Sequence, residues 1–377
     1  MSVLYNTYKL LPRFINNKLS MYGLVKPAPP INLTFSVTNL CNSKCRTCSI
    51  WKVYPEHRMS VKDELSLEEI EKIFKSIGPI YFFNISGGEP FLRKDLTEII
   101  ELGCEYLKPQ VIHTPTNGIL PERIEIDVRK ILKMMQKINY KNPFTIKPSF
   151  DGIGEKHDNI RGVQRNFENV LETIKKLKNL QKEFPQLHVG LGTVISKFNV
   201  NDIGEIMNFV EKLGVDTYIN EIAEVRTEMF DQEEGITPTW DLYEKAIQLF
   251  QKQVRKNLKT KKGLARITQS FRLYYYNLVV KILKEKYQVI PCYAGISNAH
   301  ISPYGDVWPC CVLGYEKSFG NLRDVNYNFK KIWHSNKAKI IRKSIKNKDC
   351  YCPLANQAYA NILYNFPALI QVIRDIF

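Results

Sequence analysis

The segment Thr38-Asn39-Leu40-Cys41-Asn42-Ser43-Lys44-Cys45-Arg46-Thr47-Cys48 carries three cysteines in a CxxxCxxC pattern and directly follows the apolar run Ile31–Val37. Three thiolates this close in sequence can converge on one metal centre. A structural zinc site normally takes four protein ligands, so three leave one coordination position open. The spacing therefore favours an iron–sulfur cluster with one iron available to a second molecule. An incomplete zinc knuckle is the alternative.

The bulk composition limits the class of protein. The 377 residues are 44% apolar and 11% aromatic, which suits a sizeable core and is unlike a disordered chain. The net charge of +16 indicates an attraction to anions such as an acidic protein partner, acidic lipid headgroups or nucleic acid. A solvated lysine-rich surface is the alternative. Few aromatic residues interleave with the lysines, which argues against binding single-stranded nucleic acid.

The nine cysteines fall mainly in tight clusters. The N-terminal residues lack the apolar core of a secretion signal, and no run of eighteen apolar residues could span a bilayer. Clustered cysteines without an export signal favour metal binding over disulfides. We therefore expect a cytoplasmic protein.

The chain from residue 31 onward alternates between short apolar runs and amphipathic runs of helical period. The strand candidates are Ile31–Val37, Ile80–Ile85, Val111–Thr114, Thr145–Phe150, His188–Ile195 and Asp216–Ile219. Alternation at this spacing predicts parallel strands joined by right-handed crossovers. Six units are fewer than the eight of a closed barrel. The predicted fold class is α/β, with a partial (β/α)6 barrel open on one side.

A second motif, Ser86-Gly87-Gly88-Glu89-Pro90, follows the second strand candidate. Two glycines allow close backbone approach to a ligand and positive φ. Glu89 would place a carboxylate at the same end of the barrel, suited to holding an ammonium group. An ordinary Gly-Gly turn is the alternative, and the position one strand–helix unit after the cysteines argues against it.

Together the two motifs resemble those of radical S-adenosylmethionine (SAM) enzymes, over about residues 31–225. The resemblance implies that a [4Fe–4S] cluster, whose remaining iron is chelated by SAM, is ligated by Cys41, Cys45 and Cys48. It implies that the methionyl amino group of SAM is contacted by Gly87, Gly88 and Glu89. Weaker matches imply further SAM contacts from Asn117, Ser149, Arg161 and Thr193. Thr47 departs from the family, which usually has an aromatic residue there to pack on adenine.

The spacing Cys292-x12-Gly305-x4-Cys310 resembles the start of the SPASM or twitch extension found on a subset of this family. Such extensions hold auxiliary iron–sulfur clusters, and a full version has seven cysteines and two clusters. Five cysteines here predict one auxiliary [4Fe–4S] cluster, with the ligands Cys292, Cys310, Cys350 and Cys352. Cys311 is the spare or substitute ligand. Zinc is the alternative metal.

These motifs divide the chain into five predicted segments. They are a basic amphipathic N-terminal segment at 1–30, the radical SAM partial barrel at 31–230, a helical linker at 231–286, a SPASM/twitch-like auxiliary-cluster domain at 287–353, and an amphipathic tail at 354–377. The first segment has an apolar stripe, expected to dock on the protein itself or on an anionic membrane, formed by Leu4, Tyr8, Leu11, Ile15, Leu19 and Tyr22. Pro367 must kink or divide the tail.

The resemblance implies an enzyme that cleaves SAM reductively to a 5′-deoxyadenosyl radical, which abstracts hydrogen from a substrate. It needs an acidic, low-potential electron donor of the flavodoxin or ferredoxin type. The basic surface of this protein would attract such a donor. We expect a peptide or protein substrate. The alternatives are a lipid, isoprenoid or lipid-linked sugar modified at the inner membrane surface and, in another class, a zinc-bearing basic adaptor without catalysis.

Overall fold

One nine-stranded sheet organises the computed structural model, which describes residues 3–56, 59–230, 235–260 and 263–376, without the side chains of residues 3–9 and 263–265. Its strands are β1 (Asn32–Thr38), β2 (Phe82–Gly87), β3 (Val111–Thr116), β4 (Phe144–Pro148), β5 (Leu187–Ile195), β6 (Thr217–Ile222), β7 (Asn298–Ile301), β8 (Asp306–Trp308) and β9 (Gly320–Asn321). Their spatial order is β6-β5-β4-β3-β2-β1-β7-β8-β9.

The strands β1 to β6 pair with their neighbours in parallel, and each overlaps its predicted range. β6 and β9 are the outer strands of the described sheet, so this barrel-like sheet does not close on itself. The predicted partial α/β barrel is confirmed.

Helices connect the parallel strands. The described α-helices are α1 (Val3–Met21), α2 (Val53–Glu56), α3 (Leu67–Ile77), α4 (Leu96–Leu102), α5 (Pro121–Lys137), α6 (Glu155–Arg161), α7 (Asn166–Glu183), α8 (Ile203–Leu213), α9 (Trp240–Thr260), α10 (Gly263–Glu285), α11 (Phe329–Trp333), α12 (Asn336–Lys346), α13 (Ala355–Tyr364) and α14 (Phe366–Ile376). Ser66 caps α3 in a reciprocal capping box with Glu69, as the sequence Ser66-Leu67-Glu68-Glu69 predicts.

The two faces of β1 bury different chemistry because side chains alternate along a strand. Its outward apolar side chains join the core beneath α3, where Phe74 packs edge-on against Phe35 and Phe83 at ring distances of 5.3 and 5.5 Å. Its inward side chains, Thr34, Ser36 and Thr38, are polar. The barrel therefore has an apolar jacket and a polar interior near β1.

A second core joins the helical segment to the C-terminal tail. Apolar residues of α9, α10, α13 and α14 pack with those of β5, α7 and α8. Tyr275 donates a hydrogen bond to the carbonyl of Pro353 at 3.1 Å, which ties α10 to the start of the tail. Asn365 separates α13 from α14, and Pro367 lies in the first turn of α14. The tail is thus divided two residues before the expected proline, and it packs against the body of the protein.

The C-terminal module extends the barrel sheet. β7 pairs in parallel with β1, from Asn32 opposite Asn298 to Phe35 opposite Ile301. The sequence analysis does not predict this pairing, because the module's cysteines and turns dominate its pattern. The strand that leads to the CxxxCxxC segment is therefore paired on both sides.

The N-terminal helix docks through a face other than the predicted stripe. Asn17 Nδ2 donates to Tyr364 Oη at 2.8 Å, and the ring of Phe14 lies 5.4 Å from that of Tyr364. Leu11 and Ile15 are 52% and 54% exposed. The expectation that the stripe docks on the protein is wrong for these two residues; the side chains of Leu4 and Tyr8 lie outside the described residues. None of the described helices combines the length and apolar character needed to cross a bilayer.

Candidate active site

The CxxxCxxC segment and the Gly-Gly-Glu segment meet directly at the carboxyl ends of β1 and β2. The Gly88 N–H donates to the Thr38 carbonyl at 2.7 Å, and the Glu89 N–H donates to the Leu40 carbonyl at 2.8 Å. A Cβ atom on Gly88 would lie 2.4 Å from the Leu40 carbonyl oxygen, closer than any side chain allows. Glycine is thus required where the two segments touch.

The other side of the cysteine segment rests on the end of α6. The amides of Lys44 and Arg46 donate to the carbonyls of Arg161 and Ile160 at 3.1 and 2.9 Å. Gly162 has φ of +67°, and a Cβ there would lie 2.1 Å from the Lys44 carbonyl oxygen. The cysteine segment is therefore held between two glycine contacts from distant parts of the chain.

The thiols of this segment lie beside a buried guanidinium. Ser43 Oγ is 3.2 Å from Cys45 Sγ. Burial raises the pKa of Cys41 to about 12, and the nearby Glu89 and Cys45 contribute to the rise. Although burial opposes its charge, Arg161 has a raised pKa because Cys45, Asp151 and Cys41 favour the cation. A fixed positive charge next to closely spaced thiols suits an anionic iron–sulfur cluster.

The Arg161 guanidinium forms a hydrogen bond through one nitrogen, and another of its nitrogens has no partner among the described residues. Its NH1 donates to Asp151 Oδ2 at 3.1 Å, while its buried Nε has no hydrogen-bond partner among the described residues. Asp151 Oδ1 accepts from the Val194 amide at 2.8 Å, which fixes this carboxylate against β5. A buried N–H donor normally has a hydrogen-bond partner, and a cofactor bound beside the thiols would supply one for Arg161 Nε. The sequence analysis did not single out Asp151, whose only signal is its position just after β4.

Glu89 is fully buried and its carboxylate organises the end of β3. It accepts from the Asn117 amide at 2.6 Å, from Thr116 Oγ1 at 2.8 Å and from the Phe91 amide at 3.2 Å. Burial raises its pKa, while these three donors oppose the rise. Asn117 Nδ2 also donates to Asn42 Oδ1 at 2.7 Å, within the cysteine segment. Glu89 thus positions Asn117 and keeps further acceptor capacity for a cation.

The two remaining predicted SAM contacts lie farther along the sheet. The Ser149 amide donates to the Thr116 carbonyl at 2.9 Å, just after β4. Thr193 Oγ1 donates to the Phe150 carbonyl at 2.6 Å and lies 2.8 Å from Tyr218 Oη. The Thr193 hydroxyl is therefore engaged within the protein, and its observed contacts support the loop that carries Asp151.

Thr47, the departure from the aromatic pattern, is buried. The neighbouring residue, Arg46, contacts an aromatic ring from a different segment. Its guanidinium lies 3.8 Å from the ring centre of Phe198, in the turn after β5. This contact joins the cysteine segment to the fifth strand–helix unit.

Four cysteines of the C-terminal module influence one another. Burial raises the pKa of Cys292 to about 11, with Cys350 contributing, and burial also raises the pKa of Cys310, to which Cys292 and Cys350 add. The pKa of Cys352 is raised by burial, with Glu224, Cys310 and Cys292 adding. A cavity of about 30 Å³ is lined in part by Cys292, Cys350 and Cys352. The donor set suits an iron–sulfur cluster or zinc.

Cys311 shares Glu224 and Cys310 with Cys352 but has further neighbours that the four other cysteines of the module lack. Burial raises its pKa; Arg226 lowers it, and Glu228, Cys310 and Glu224 add to the rise. The Sγ atom of Cys311, a carboxylate oxygen of Glu228 and a ring nitrogen of His300 all lie within 4.8 Å of one another. Cys311 therefore belongs to a separate buried group.

A hydrogen-bond network joins the cysteine segment to the C-terminal module. Glu64 Oε1 accepts from Thr38 Oγ1 at 2.6 Å and from the Asn39 amide at 3.0 Å. The Asn39 side chain in turn faces the hydroxyls of Tyr304 and Tyr315, at 3.5 and 3.4 Å. These residues were not predictable from local pattern, because the Asn39 side chain meets tyrosines more than 260 residues away and Glu64 reaches β1 from a separate loop.

Two family models match the segments that carry these cysteines. The model of the radical SAM superfamily matches residues 35–210. The SPASM model, an iron–sulfur cluster-binding domain, matches residues 292–353.

Individual proteins match across both segments. The subtilosin biosynthesis protein AlbA of Bacillus subtilis is 24% identical over 86% of this chain, which spans 66% of AlbA. The AdoMet-dependent heme synthase of Methanosarcina barkeri is 25% identical over 83% of this chain and 84% of its own length. The structure of Streptococcus suis SuiB bound to its precursor peptide SuiA matches with a TM-score of 0.58 and 16% identity, over 91% of this chain and 72% of SuiB.

Proposed function

Because the chain belongs to the radical SAM superfamily and carries a SPASM iron–sulfur cluster-binding domain, we propose that it modifies a peptide by radical chemistry. Membership makes it an enzyme whose cofactors are a [4Fe–4S] cluster and SAM, with auxiliary iron–sulfur binding in the SPASM domain. The non-catalytic zinc adaptor considered above does not agree with this membership.

The proposed ligands of the first cluster are Cys41, Cys45 and Cys48. When bound, the cluster and SAM together supply a carbon-centred radical that takes a hydrogen atom from the substrate. The chain's own residues hold the site: Gly88 and Gly162 clamp the cysteine segment from two sides. The Arg161 cation favours the thiolate form of Cys41. The observation that carries this assignment is a buried arginine, close to Cys41 and Cys45, whose Nε lacks a partner among the described residues.

The proposed SAM contacts fall into two groups. Those that border the cysteine segment are Gly87, Gly88, Glu89, Asn117 and Arg161. For Glu89 we propose both contact with the SAM amino group and positioning of Asn117. Ser149 stays a proposed direct contact, whereas the two partners of the Thr193 hydroxyl support an indirect role that holds the Asp151 loop.

The proposed ligands of a single auxiliary cluster are Cys292, Cys310, Cys350 and Cys352. Their mutual electrostatic influence supports this set, and the different neighbours of Cys311 support leaving it out. Ionisation of four buried thiols without a metal would be costly, because burial raises their pKa values. Metal binding and folding of the module are therefore expected to depend on each other.

A peptide substrate is supported by AlbA, named for biosynthesis of the bacteriocin subtilosin, and by SuiB, whose solved structure holds a precursor peptide. The open edge of the barrel-like sheet would admit an extended chain. A second candidate is a tetrapyrrole, because the heme synthase matches along 84% of its own length. The half-buried Lys147 on β4, near Arg272, would suit a propionate group.

Anaerobic reconstitution tests the proposed chemistry. We expect the reduced protein to release 5′-deoxyadenosine from SAM, and Cys45→Ala to abolish this release. The control is Cys104→Ala, because Cys104 is buried in the helical core and away from both cysteine groups. SAM cleavage that survives in Cys45→Ala would contradict the assignment.

The substrate classes can be separated with labelled probes. Deuterated cysteine-containing peptides should transfer deuterium to 5′-deoxyadenosine if a peptide is the substrate. Iron coproporphyrin should instead bind with a shift in its visible absorption, and promote 5′-deoxyadenosine release, if the substrate is a tetrapyrrole. Release stimulated by the porphyrin and by none of the peptides would replace the peptide proposal with the second candidate.

We also propose an acidic flavodoxin- or ferredoxin-type donor, supported by the net charge of +16. Contact with an anionic membrane surface stays a prediction. The observation that favours it is the exposure of Leu11 and Ile15 on α1.

A further inference from the structure

Three buried side chains with metal-binding atoms converge beside the auxiliary cysteines. Glu228 lies in a short 3-10 turn after β6, His300 lies on β7, and Cys311 follows β8. Their ligand atoms all lie within 4.8 Å of one another, and His300 Nε2 is 3.2 Å from Glu228 Oε1. Two ligands of a tetrahedral zinc ion lie about 3.3–3.8 Å apart, given zinc–ligand bonds of about 2.0–2.3 Å. The three atoms are close to the spacing that one ion requires.

We propose that Glu228, His300 and Cys311 bind one divalent metal ion, zinc by the chemistry of the donors, with a fourth coordination position open to the barrel interior. Carboxylate oxygen, imidazole nitrogen and thiolate sulfur are the three donor types that zinc takes in proteins. A site with three protein ligands keeps a position for a water or a substrate atom. This assignment gives Cys311 a role separate from the auxiliary cluster.

The charge around the site favours a cation. The Arg226 guanidinium lies 3.2 Å from Glu224 and 3.8 Å from Glu221, and it is also close to Glu228. One guanidinium therefore stands among three carboxylates. A dication with one thiolate adds a net charge of +1 to this group and so reduces its excess of negative charge. Buried charges need such compensation.

The surrounding residues hold the imidazole in place. His300 packs against Trp308, with ring centres 4.8 Å apart. Ser36 Oγ lies 2.7 Å from His300 Nε2 and 3.2 Å from Glu228 Oε1. Ser36 Oγ is thus within hydrogen-bond distance of two of the three donors and helps to hold them in place.

All three side chains line a cavity of about 60 Å³, so the open position would face this cavity. Thr34, Asn84 and Ser86 line it from β1 and β2, and Cys310 lines it from the auxiliary module. An ion here would stand between the barrel interior and the auxiliary cysteines. Resting on the proposed function, we infer that the ion binds a carboxylate or carbonyl oxygen of the substrate and so fixes its position.

Elemental analysis of the anaerobically purified holoenzyme tests the site. We expect one zinc per chain in addition to the iron and sulfide of the clusters. His300→Ala and Cys311→Ser should each lose the zinc and retain the iron and sulfide. Cys310→Ala is the matched control: it should lose the iron of the auxiliary cluster and retain the zinc. Cys45→Ala, which should abolish SAM cleavage, should also retain the zinc. The zinc proposal and the SAM-cleavage proposal can therefore fail independently of each other.

Cobalt substitution gives a direct view of the sulfur ligand. The cobalt-loaded protein should show a thiolate-to-cobalt absorption band that Cys311→Ser lacks and Cys104→Ala keeps. Loss of iron from Cys311→Ser would make Cys311 a cluster ligand and overturn the proposal. The proposal would also be overturned if Cys310→Ala lost the zinc while His300→Ala retained it. A holoenzyme that binds no zinc when zinc is supplied would overturn it as well.

Discussion

Gly162 lies against the carbonyl oxygen of Lys44, so close that a Cβ atom on Gly162 would be 2.1 Å from that oxygen. One residue in the middle of the cysteine segment therefore rests on the residue that follows α6, 118 positions later in the chain. The conformation of the segment depends on this contact as well as on any metal.

Replacing Gly162 with alanine should displace the cysteine segment. The substitution meets both the positive φ, which costs about 1 kcal/mol, and the contact with Lys44. We expect most of the iron at this site to be lost while the circular dichroism spectrum is retained. Gly214→Ala is the control, because Gly214 has the same left-handed backbone after α8 and its added Cβ would meet only the end of the flexible Lys178 side chain. Equal iron loss in both variants would refute the contact as the cause.

Replacing Arg161 with glutamine should make cluster assembly harder at low pH. The guanidinium lowers the pKa of Cys41, so its removal raises that pKa and moves cluster assembly to higher pH. Iron incorporation measured across a pH series should show this upward shift. Arg161→Lys keeps a positive charge and should shift less. An unchanged pH midpoint in the glutamine variant would rule out the electrostatic role.

Replacing Glu89 with glutamine should weaken SAM binding. The glutamine side chain would place an N–H donor against the three donors that now bind the Glu89 carboxylate. It would also lack the negative charge that is proposed to meet the SAM amino group. A lost hydrogen bond to a charged group costs about 1.5–3 kcal/mol, or roughly 10- to 100-fold in affinity. Calorimetric titration with SAM measures the loss. The exposed Glu105→Gln should bind SAM as the parent does; a parent-like affinity in Glu89→Gln would contradict the role of Glu89.

The ion pair between Glu69 and Arg323 should stabilise the contact between the barrel and the C-terminal module. Arg323 Nε lies 2.7 Å from Glu69 Oε1, and this bond lowers the pKa of Glu69 to about 2. Because the folded pKa lies below the ordinary value of 4.5, the stabilisation is fully present above that value and is lost as the pH falls toward 2. Glu69→Gln should cost about 1 kcal/mol at pH 7.

Urea denaturation at two pH values checks this ion pair. The difference between the parent and Glu69→Gln should shrink from pH 7 to pH 3. Glu68→Gln, in the same first turn of α3 but exposed, controls for the effect of a carboxylate at a helix N-terminus. A pH-independent difference would assign the effect to packing rather than charge.

The exposed side chains of α1 give a test of the predicted membrane contact. The double variant Leu11→Ser/Ile15→Ser leaves the docking residues Phe14 and Asn17 unchanged. It should co-sediment less with anionic liposomes than the parent, and the parent's binding should fall as salt rises. Equal co-sedimentation of both proteins would exclude this surface as an anchor.

Local sequence signals predicted the barrel and the meeting of its two motifs. The apolar runs before Cys41 and Ser86 mark parallel strands, whose carboxyl ends meet at one edge of a sheet. The contacts that complete the site were not predictable in this way. Gly162 with Lys44, and Glu64 with Thr38, are pairs set by the packing of distant segments.

Amphipathic pattern was a weaker guide at the N-terminus. The stripe through Leu11 and Ile15 has the right helical spacing, yet the helix docks through Phe14 and Asn17. A ring contact and one buried amide determined the docked face, and neither is visible in a count of apolar positions.

The parallel pairing of β7 with β1 has a consequence for synthesis of the chain. β1 leaves the ribosome before its second partner, which emerges more than 260 residues later. Until then a nascent barrel carries an uncovered strand edge, the kind of surface at which unfinished chains associate wrongly. Truncation just before residue 298 should therefore yield aggregates, whereas chains long enough to deliver β7 should stay dispersed.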